Sequence, residues 1–262
     1  MSSYPRAALR AVAIVLCPLV VAVTVALQSP SASAATRSWS VSTVEQDCYE
    51  FNEMLLAPMT ELRAAVPARY EIAPFPPSPD LGYLLVSDHQ CGRVEVNGHR
   101  WPGRHVSTMG LTLLQSRDGV PQEAFFQLWY GTTNLSLVAQ AQLLGLKVRP
   151  VAATESVEAD ATGRNRITMS FRGSGLDHRR TALVTEPAAT PVTEVQSAPI
   201  YAAGRRGEVT MAYQNALRPT SVATVDVTID AGTRLAEFDL PPTYAGEIQF
   251  RRGGWRSSIT GS

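Results

Sequence analysis

Lys147 is the only lysine in a chain of 262 residues, and it carries the sharpest chemistry in the sequence. A lysine nucleophile needs a free amine near neutral pH. Desolvation or a neighbouring cation lowers its pKa and supplies one. Arg149 lies two residues on, and positions i and i+2 of a strand share a face. A Lys147/Arg149 pair would therefore set two cations side by side, and Glu155 or Glu158 would add a carboxylate if the sheet brings it close. The plainer account is a solvated ammonium after a helix, where the dipole favours a cation. Its uniqueness is compositional, since arginine supplies the other basic residues. With many Ala, Val, Pro and Gly, this resembles the codon bias of a GC-rich, actinobacterium-like genome.

The four histidines offer less. His89 follows Asp88, and with Ser87 or Ser107 such a pair supplies parts of a hydrolase triad. No Gly-x-Ser-x-Gly elbow is present to hold a nucleophile, so His89, His99 and His105 read as turn residues. His178, beside Arg179 and Arg180, reads as a hairpin tip. Metal-ligand spacing is missing from both Cys and His, and no phosphate-loop, dinucleotide or EF-hand pattern occurs. The expectation is a protein without metal or cofactor.

Phe125-Phe126-Gln127-Leu128-Trp129-Tyr130 is the most apolar segment after the N-terminal region. Alternation puts Phe126, Leu128 and Tyr130 on one face and Phe125, Gln127 and Trp129 on the other. Two apolar faces indicate a buried central strand. The functional alternative is that Phe126, Leu128 and Tyr130 line a cavity for an apolar ligand. Gly131 to Asn134 lead into a helix N-terminus, whose N–H groups suit an anion or simply a cap.

The N-terminus places these residues in a compartment. Arg6 and Arg10 precede an apolar run from Ala11 to Leu27, and Ala32-Ser33-Ala34 fits a small-residue cleavage site. Residues 1–34 read as a secretory signal peptide, with an uncleaved anchor as the alternative. Cys17 sits inside the apolar run, which argues against a lipid-modified cysteine. The protein is expected to be secreted or extracytoplasmic, with no membrane span after cleavage. Cleavage removes Arg6 and Arg10 and leaves 21 basic against 23 acidic residues. Such a balance argues against nucleic acid as a partner, and the oligomeric state is open. Cys48 and Cys91 then remain. In an exported domain they are expected to form a disulfide closing a loop of about 40 residues, worth about 2–4 kcal/mol.

Apolar positions 44, 48, 51, 54 and 55 recur at helical spacing and predict a helix over Ser42–Leu56, capped by Ser42 or Thr43. A second helix is expected from Met59 to Val66, ended by Pro67. Pro74, Pro76, Pro77 and Pro79 form a stiff connector. Strands follow over Leu81–Val86 and Arg93–Val96, with a hairpin turn at Asn97-Gly98. Two more run over 105–114 and 123–130, joined through Arg117-Asp118-Gly119. An internal helix starts at the Asn134 cap and ends at Gly145. Further strands are expected over 147–157, 165–171, 179–185, 199–203, 208–213, 223–229 and 246–250. Residues 186–196 are expected to be a loop. The organisation is residues 35–80 as a helical region and connector, forming one globular unit with a β-rich domain over 81–262.

This order resembles acetoacetate-decarboxylase-like proteins. Leu62-Arg-Ala-Ala-Val-Pro-Ala-Arg-Tyr70 is similar to that family's "apolar, Pro, small, aromatic" lead-in, and Leu143-Leu-Gly-Leu-Lys-Val-Arg149 matches its catalytic segment in place. There a Gly-aromatic-Pro-Lys-Lys run opens a strand. Aligned on Gly145, Lys147 takes the proline's place, and Val148 and Arg149 take those of the lysines. The family's Schiff-base pair is thus not matched residue for residue.

The fold class is α+β, mainly β: an antiparallel, curved or closed barrel-like sheet with an N-terminal helix and one internal helix. The leading expectation for function is an exported, soluble, non-catalytic protein whose barrel holds a small apolar or carboxylate ligand. The alternative is a decarboxylase-like, lysine-dependent lyase acting on a keto acid, with Lys147, Arg149 and Glu155 as its catalytic residues. A cell-envelope interaction protein is a third reading, which requires an exposed apolar patch.

Overall fold

Asn97 and Gly98 adopt φ of 48° and 79°, the positive values that a two-residue hairpin turn demands. They join β3 (Ser78–Val96) to β4 (His99–Leu113), two of the longest strands in the chain. The computed structural model describes residues 40–114, 124–173, 175, 177–185, 194–205, 207–217, 221–238 and 240–261. The expected signal peptide, the 117–119 connection and the first part of the 186–196 loop lie outside the described residues.

Ahead of this hairpin come β1 (Ser40–Pro58), α1 (Met59–Ala65) and β2 (Pro74–Phe75). After it come β5 (Ala124–Thr132), α2 (Leu135–Leu143), β6 (Val148–Pro150), β7 (Ala152–Ala159), β8 (Asn165–Arg172) and β9 (His178–Val184). The chain continues through β10 (Glu194–Ala203), β11 (Glu208–Leu217), β12 (Ser221–Ile229), a 3-10 turn (Ala236–Phe238) and β13 (Thr243–Gly261).

Strands β1-β3-β4-β5-β10-β11-β13 form a ring, closed where β13 pairs with β1 into a seven-stranded barrel. The ring is antiparallel except between β5 and β10. β13 belongs to two layers. Its second half pairs with β11, while its first half pairs with β12 and starts the extension β12-β9-β8-β7. That extension packs on the outside of the barrel wall. Phe51, Leu84, Leu111 and Phe126 of the barrel meet Met169, Phe171 and Val225 of the extension in one core. A second core plugs one barrel end, where Leu137, Val138 and Ala141 of α2 meet Val94, Val106, Trp255 and Ile259. The α2 cap is as expected: Asn134 Oδ1 accepts the Leu137 N–H at 2.9 Å, and Gly145 ends the turn at φ 92°.

The helix expected over Ser42–Leu56 is corrected to β1. Asp47 adopts φ 55°, and the β1–β13 register slips between Glu45 and Cys48. This is a β-bulge, and it flips the side-chain parity. Val41 and Glu45 face into the barrel before it, and Cys48 and Glu50 after it, while Gln46 and Asp47 are exposed. The shift breaks the two-residue period, and the apolar positions that remain mimic a helical one. Cys48 and Cys91 are directly opposed in β1 and β3 and are bonded. The bridge thus joins two strands of the sheet, not a helix to a sheet.

A charged network lies between wall and extension. Arg180 donates to Asp88 at 2.6 Å and to Glu53 at 2.8 Å; His178 Nε2 lies 2.8 Å from Asp88, and the Tyr244 phenol donates to Glu53 at 2.8 Å. Asp88, His178, Arg180 and Glu53 are all buried. Burial alone would raise the Asp88 carboxyl, but the Arg180 and His178 charges outweigh it and hold that carboxyl well below the usual range. The hairpin-tip and turn readings of His178 and His89 are corrected here, because both residues are buried within strands. Replacing Arg180 with Met would leave two buried carboxylates facing each other. The expected cost is about 3–5 kcal/mol in urea unfolding; a loss below about 1 kcal/mol, typical of an exposed pair, would show that the network holds little.

Candidate active site

Inside the barrel lies a cavity of about 280 Å³. That is near the lower end of small-molecule sites. Its lining follows from strand pairing, because directly opposed residues share a face. One row runs Arg251 (β13), Glu50 (β1), His89 (β3). The next runs Gln249, Asn52, Ser87, Thr108 and Tyr130 through β13, β1, β3, β4 and β5. All of these line the cavity, with Tyr213 and Asn215 of β11 on the far wall. Met54 also lines it and is 46% exposed, which marks the open end opposite the α2 plug.

The floor is an ion pair. Arg104 Nε donates to Glu45 Oε2 at 3.1 Å, and its Nη2 donates to Glu45 Oε1. Thr43 donates to Glu45 Oε1 at 3.0 Å. Burial would raise the Glu45 carboxyl, but the Arg104 guanidinium, helped by His89, brings it down to about 2. Arg104 Nη1 also donates to the Tyr130 phenol at 3.3 Å. That leaves the phenol's own proton free to be donated. Burial is the main reason that Tyr130 titrates above its usual range, and the Arg104 charge only partly opposes it. Burial and the charges of Glu50 and Glu45 push Tyr213 well up in the same way. Both phenols therefore stay protonated donors at neutral pH.

Glu50 differs from Glu45. Its Oε1 accepts the Ser87 hydroxyl, and its buried Oε2 has no hydrogen-bond partner among the described residues. Glu45, His89 and Cys91 bring potential metal-ligand atoms within 4.8 Å of one another. Cys91 is bonded to Cys48 and has no thiolate to offer, so this group does not make a zinc site.

The residues singled out from sequence divide. Lys147 and Arg149 do share a face, as alternation requires, but Val148 between them takes the buried position and both cations are exposed. Neither lines the cavity. Glu155 lies across the barrel wall, where it accepts the Tyr49 phenol and sits 2.8 Å from His105 Nε2. Glu158 is exposed in β7. The proposed catalytic trio is thus corrected to three residues that do not line one site.

On β5 the expected face is corrected too. The β4–β5 register slips after Met109 and skips Leu128. Phe125, Gln127 and Tyr130 consequently line the cavity, while Phe126 enters the intersheet core and Leu128 packs against it. Asp88 and His89, adjacent in sequence, point to opposite faces and form no dyad. Sequence reasoning missed Glu50, Arg104, Tyr213 and Arg251. The available signal was polar residues at every second position of strands, as in Ser87/His89, Tyr213/Asn215 and Gln249/Arg251.

No family model matches the chain, and no curated protein matches it. Solved structures do. An acetoacetate decarboxylase-like enzyme from Sphingomonas wittichii RW1 superposes with a TM-score of 0.51 and 12% identity over 92% of this chain and 98% of that one. Acetoacetate decarboxylase from Legionella pneumophila gives 0.51 and 9% over 82% and 84%. The enduracididine biosynthesis enzyme MppR, complexed with pyruvate, gives 0.51 and 10% over 88% and 91%. At these identities the likeness establishes the fold, which is the acetoacetate decarboxylase-like one. The expectation of a non-catalytic binding protein is corrected by this finding, because these three proteins that share the fold are enzymes.

The Glu45 carboxyl titrates lower in the fold than its ordinary 4.5. It therefore contributes stability that is present above about pH 4.5 and is lost as pH falls toward 2. In urea unfolding across that window, Glu45→Gln is expected to be less stable at neutral pH and to show a shallower acid loss than wild type. Equal slopes would mean that Glu45 is not the group responsible.

Proposed function

We propose that this protein is an acetoacetate decarboxylase-like lyase that removes CO₂ from a small 3-keto acid held in the barrel cavity. The supporting observation is the cavity row in which a cation, Arg251, faces a buried carboxylate with one open oxygen, Glu50, inside a barrel of this fold. Its volume suits a compact metabolite rather than a lipid. That one protein of this fold is seen with pyruvate is consistent with a keto acid as the ligand class.

Loss of CO₂ moves a negative charge from the carboxylate to the ketone oxygen. Catalysis requires donors placed where that charge arrives. The Tyr130 phenol, fixed by Arg104, is such a donor. Arg251 draws the anion into the barrel, and Glu50, held by Ser87, passes a proton from solvent to the carbon. An imine is not part of this reading, because the chain's single lysine stands outside the lining. The disulfide fits the export that the N-terminal segment suggests, and no described helix is long and apolar enough to cross a membrane.

The test is CO₂ release from acetoacetate and related 3-keto acids by the purified mature protein. Glu50→Gln is expected to lower kcat by about 10²–10⁴, and Arg251→Gln to raise KM. Lys147→Ala is expected to keep kcat/KM within about twofold of wild type. Borohydride trapping of a substrate adduct on the Lys147 peptide would overturn the lysine-free route.

A further inference from the structure

We propose that His89 is the catalytic acid of this cavity, protonating the ketone oxygen of the substrate as CO₂ departs. The inference rests on the keto-acid reading above and names the group that handles the second proton.

His89 is 6% exposed and lines the cavity. Its ring lies flat on Trp255, with centroids 5.5 Å apart and planes 9° from parallel. The stack fixes the ring plane and leaves the nitrogens at its edge. Nδ1 has no hydrogen-bond partner among the described residues, and Nε2 makes only a loose 3.5 Å approach to Glu45 Oε2. A buried imidazole without hydrogen bonds loses solvation that nothing in the wall returns. A ligand oxygen in the cavity would return it.

The neighbours suit an acid. Glu45 and Glu50 of β1 face the ring from one side and Arg104 of β4 from the other, with Arg251, Tyr130 and Tyr213 completing the cavity's ionisable groups. Arg104 already neutralises Glu45. Glu50 is directly opposite His89 in the β1–β3 register, so an imidazolium would meet a carboxylate across the strand pair. In the step itself the C–CO₂ bond breaks, and its electron pair becomes the C=C bond of the enol. The ketone oxygen takes the His89 proton. Glu50 then takes a proton from solvent and passes it to the carbon, and the enol O–H returns its proton to His89. One solvent proton is consumed for each CO₂ released.

The experiment compares wild type, His89→Gln and His89→Phe, the last keeping the stack on Trp255 without a nitrogen. Each is measured for CO₂ release from acetoacetate and for thermal unfolding. ¹⁵N NMR of the histidine rings follows titration with pyruvate, a keto acid that the proposed step cannot cleave. Both variants are expected to melt near wild type and to lose about 10²–10⁴ in kcat with KM within about threefold. The alkaline limb of the kcat–pH profile is expected to move. Pyruvate should shift the wild-type resonance that is missing from His89→Gln. Turnover with kcat and pH profile unchanged in both variants would overturn the role of His89 and leave the keto-acid reading standing. Absence of both turnover and pyruvate shift in the wild type would overturn the two together. A pyruvate shift without turnover would support His89 as the ligand contact and count against acetoacetate as the substrate.

Discussion

The closing pair of β1 and β13 is the constraint on which the structure depends. β13 is the last strand described and β1 the first, so the barrel exists only once these two strands meet. The pairing runs from Ser40↔Thr260 to Asn52↔Gln249. It creates an inside, and with it the Arg251–Glu50–His89 row, which draws on three strands from opposite ends of the sequence. β13 also carries β12 on the edge that β11 leaves free, so the strand that closes the barrel anchors the outer layer too. A contact of such sequence separation is costly to form early. The Cys48–Cys91 bridge, 43 residues apart, pins β1 to β3 at the level of the floor and shortens that search.

The wall carries charge on both faces, and the faces have different jobs. Outside, Asp88, Glu53, Arg180 and His178 form a dense set in which two acids meet a guanidinium and an imidazole under a packed sheet. Such a network specifies how the extension seats on the barrel more than it adds net stability, since burying each charge costs several kcal/mol. Inside, the Glu45–Arg104 pair is equally buried but borders empty space. Glu50 and His89 retain polar atoms that the protein leaves without good partners. Unpartnered buried polar atoms also occur outside the cavity, Asp88 Oδ1 and Arg180 Nε among them, but those of Glu50 and His89 border a space that a ligand can fill. Adjacent residues Asp88 and His89 show the contrast directly: Asp88 is held by Arg180 and His178, while neither His89 nitrogen has a hydrogen bond among the described residues.

Much of the fold was legible in the residues. The Asn97-Gly98 turn, the Asn134 cap, the Gly145 stop, the β-rich body and the cysteine pair each follow from local stereochemistry, and the resemblance in element order proved to be the fold. What failed has one cause. Two bulges, at Asp47 and at Leu128, exchange the faces of β1 and β5 partway along. A period of two that changes phase looks like a helix in β1 and gives the wrong cavity face in β5. The site was hidden for a related reason. Polar residues alternating in a strand ordinarily mean a solvent face, and only closure turns that face inward. Lys147 drew attention as an amine beside a second cation, Arg149, but Val148 holds the buried position between them and commits both flanking cations to solvent.

The charges of the interior bear on what a barrel of this fold does without an amine. An imine works by placing a cation next to the carbon that must accept electrons. Here the cations are guanidinium groups, which do not deprotonate and cannot form the imine. Arg104 is already balanced by Glu45, so its effect reaches a ligand through Tyr130, whose proton it leaves free. Arg251 shares a cross-strand row with Glu50 and His89. Were Arg251 to hold the departing carboxylate tightly, it would stabilise the ground state and slow the loss of CO₂. On the proposed reading its pairing with Glu50 suits capture, and the Tyr130 and His89 donors suit the ketone oxygen. On that reading charge moves from the Arg251 wall on β13 toward donors carried by β3 and β5.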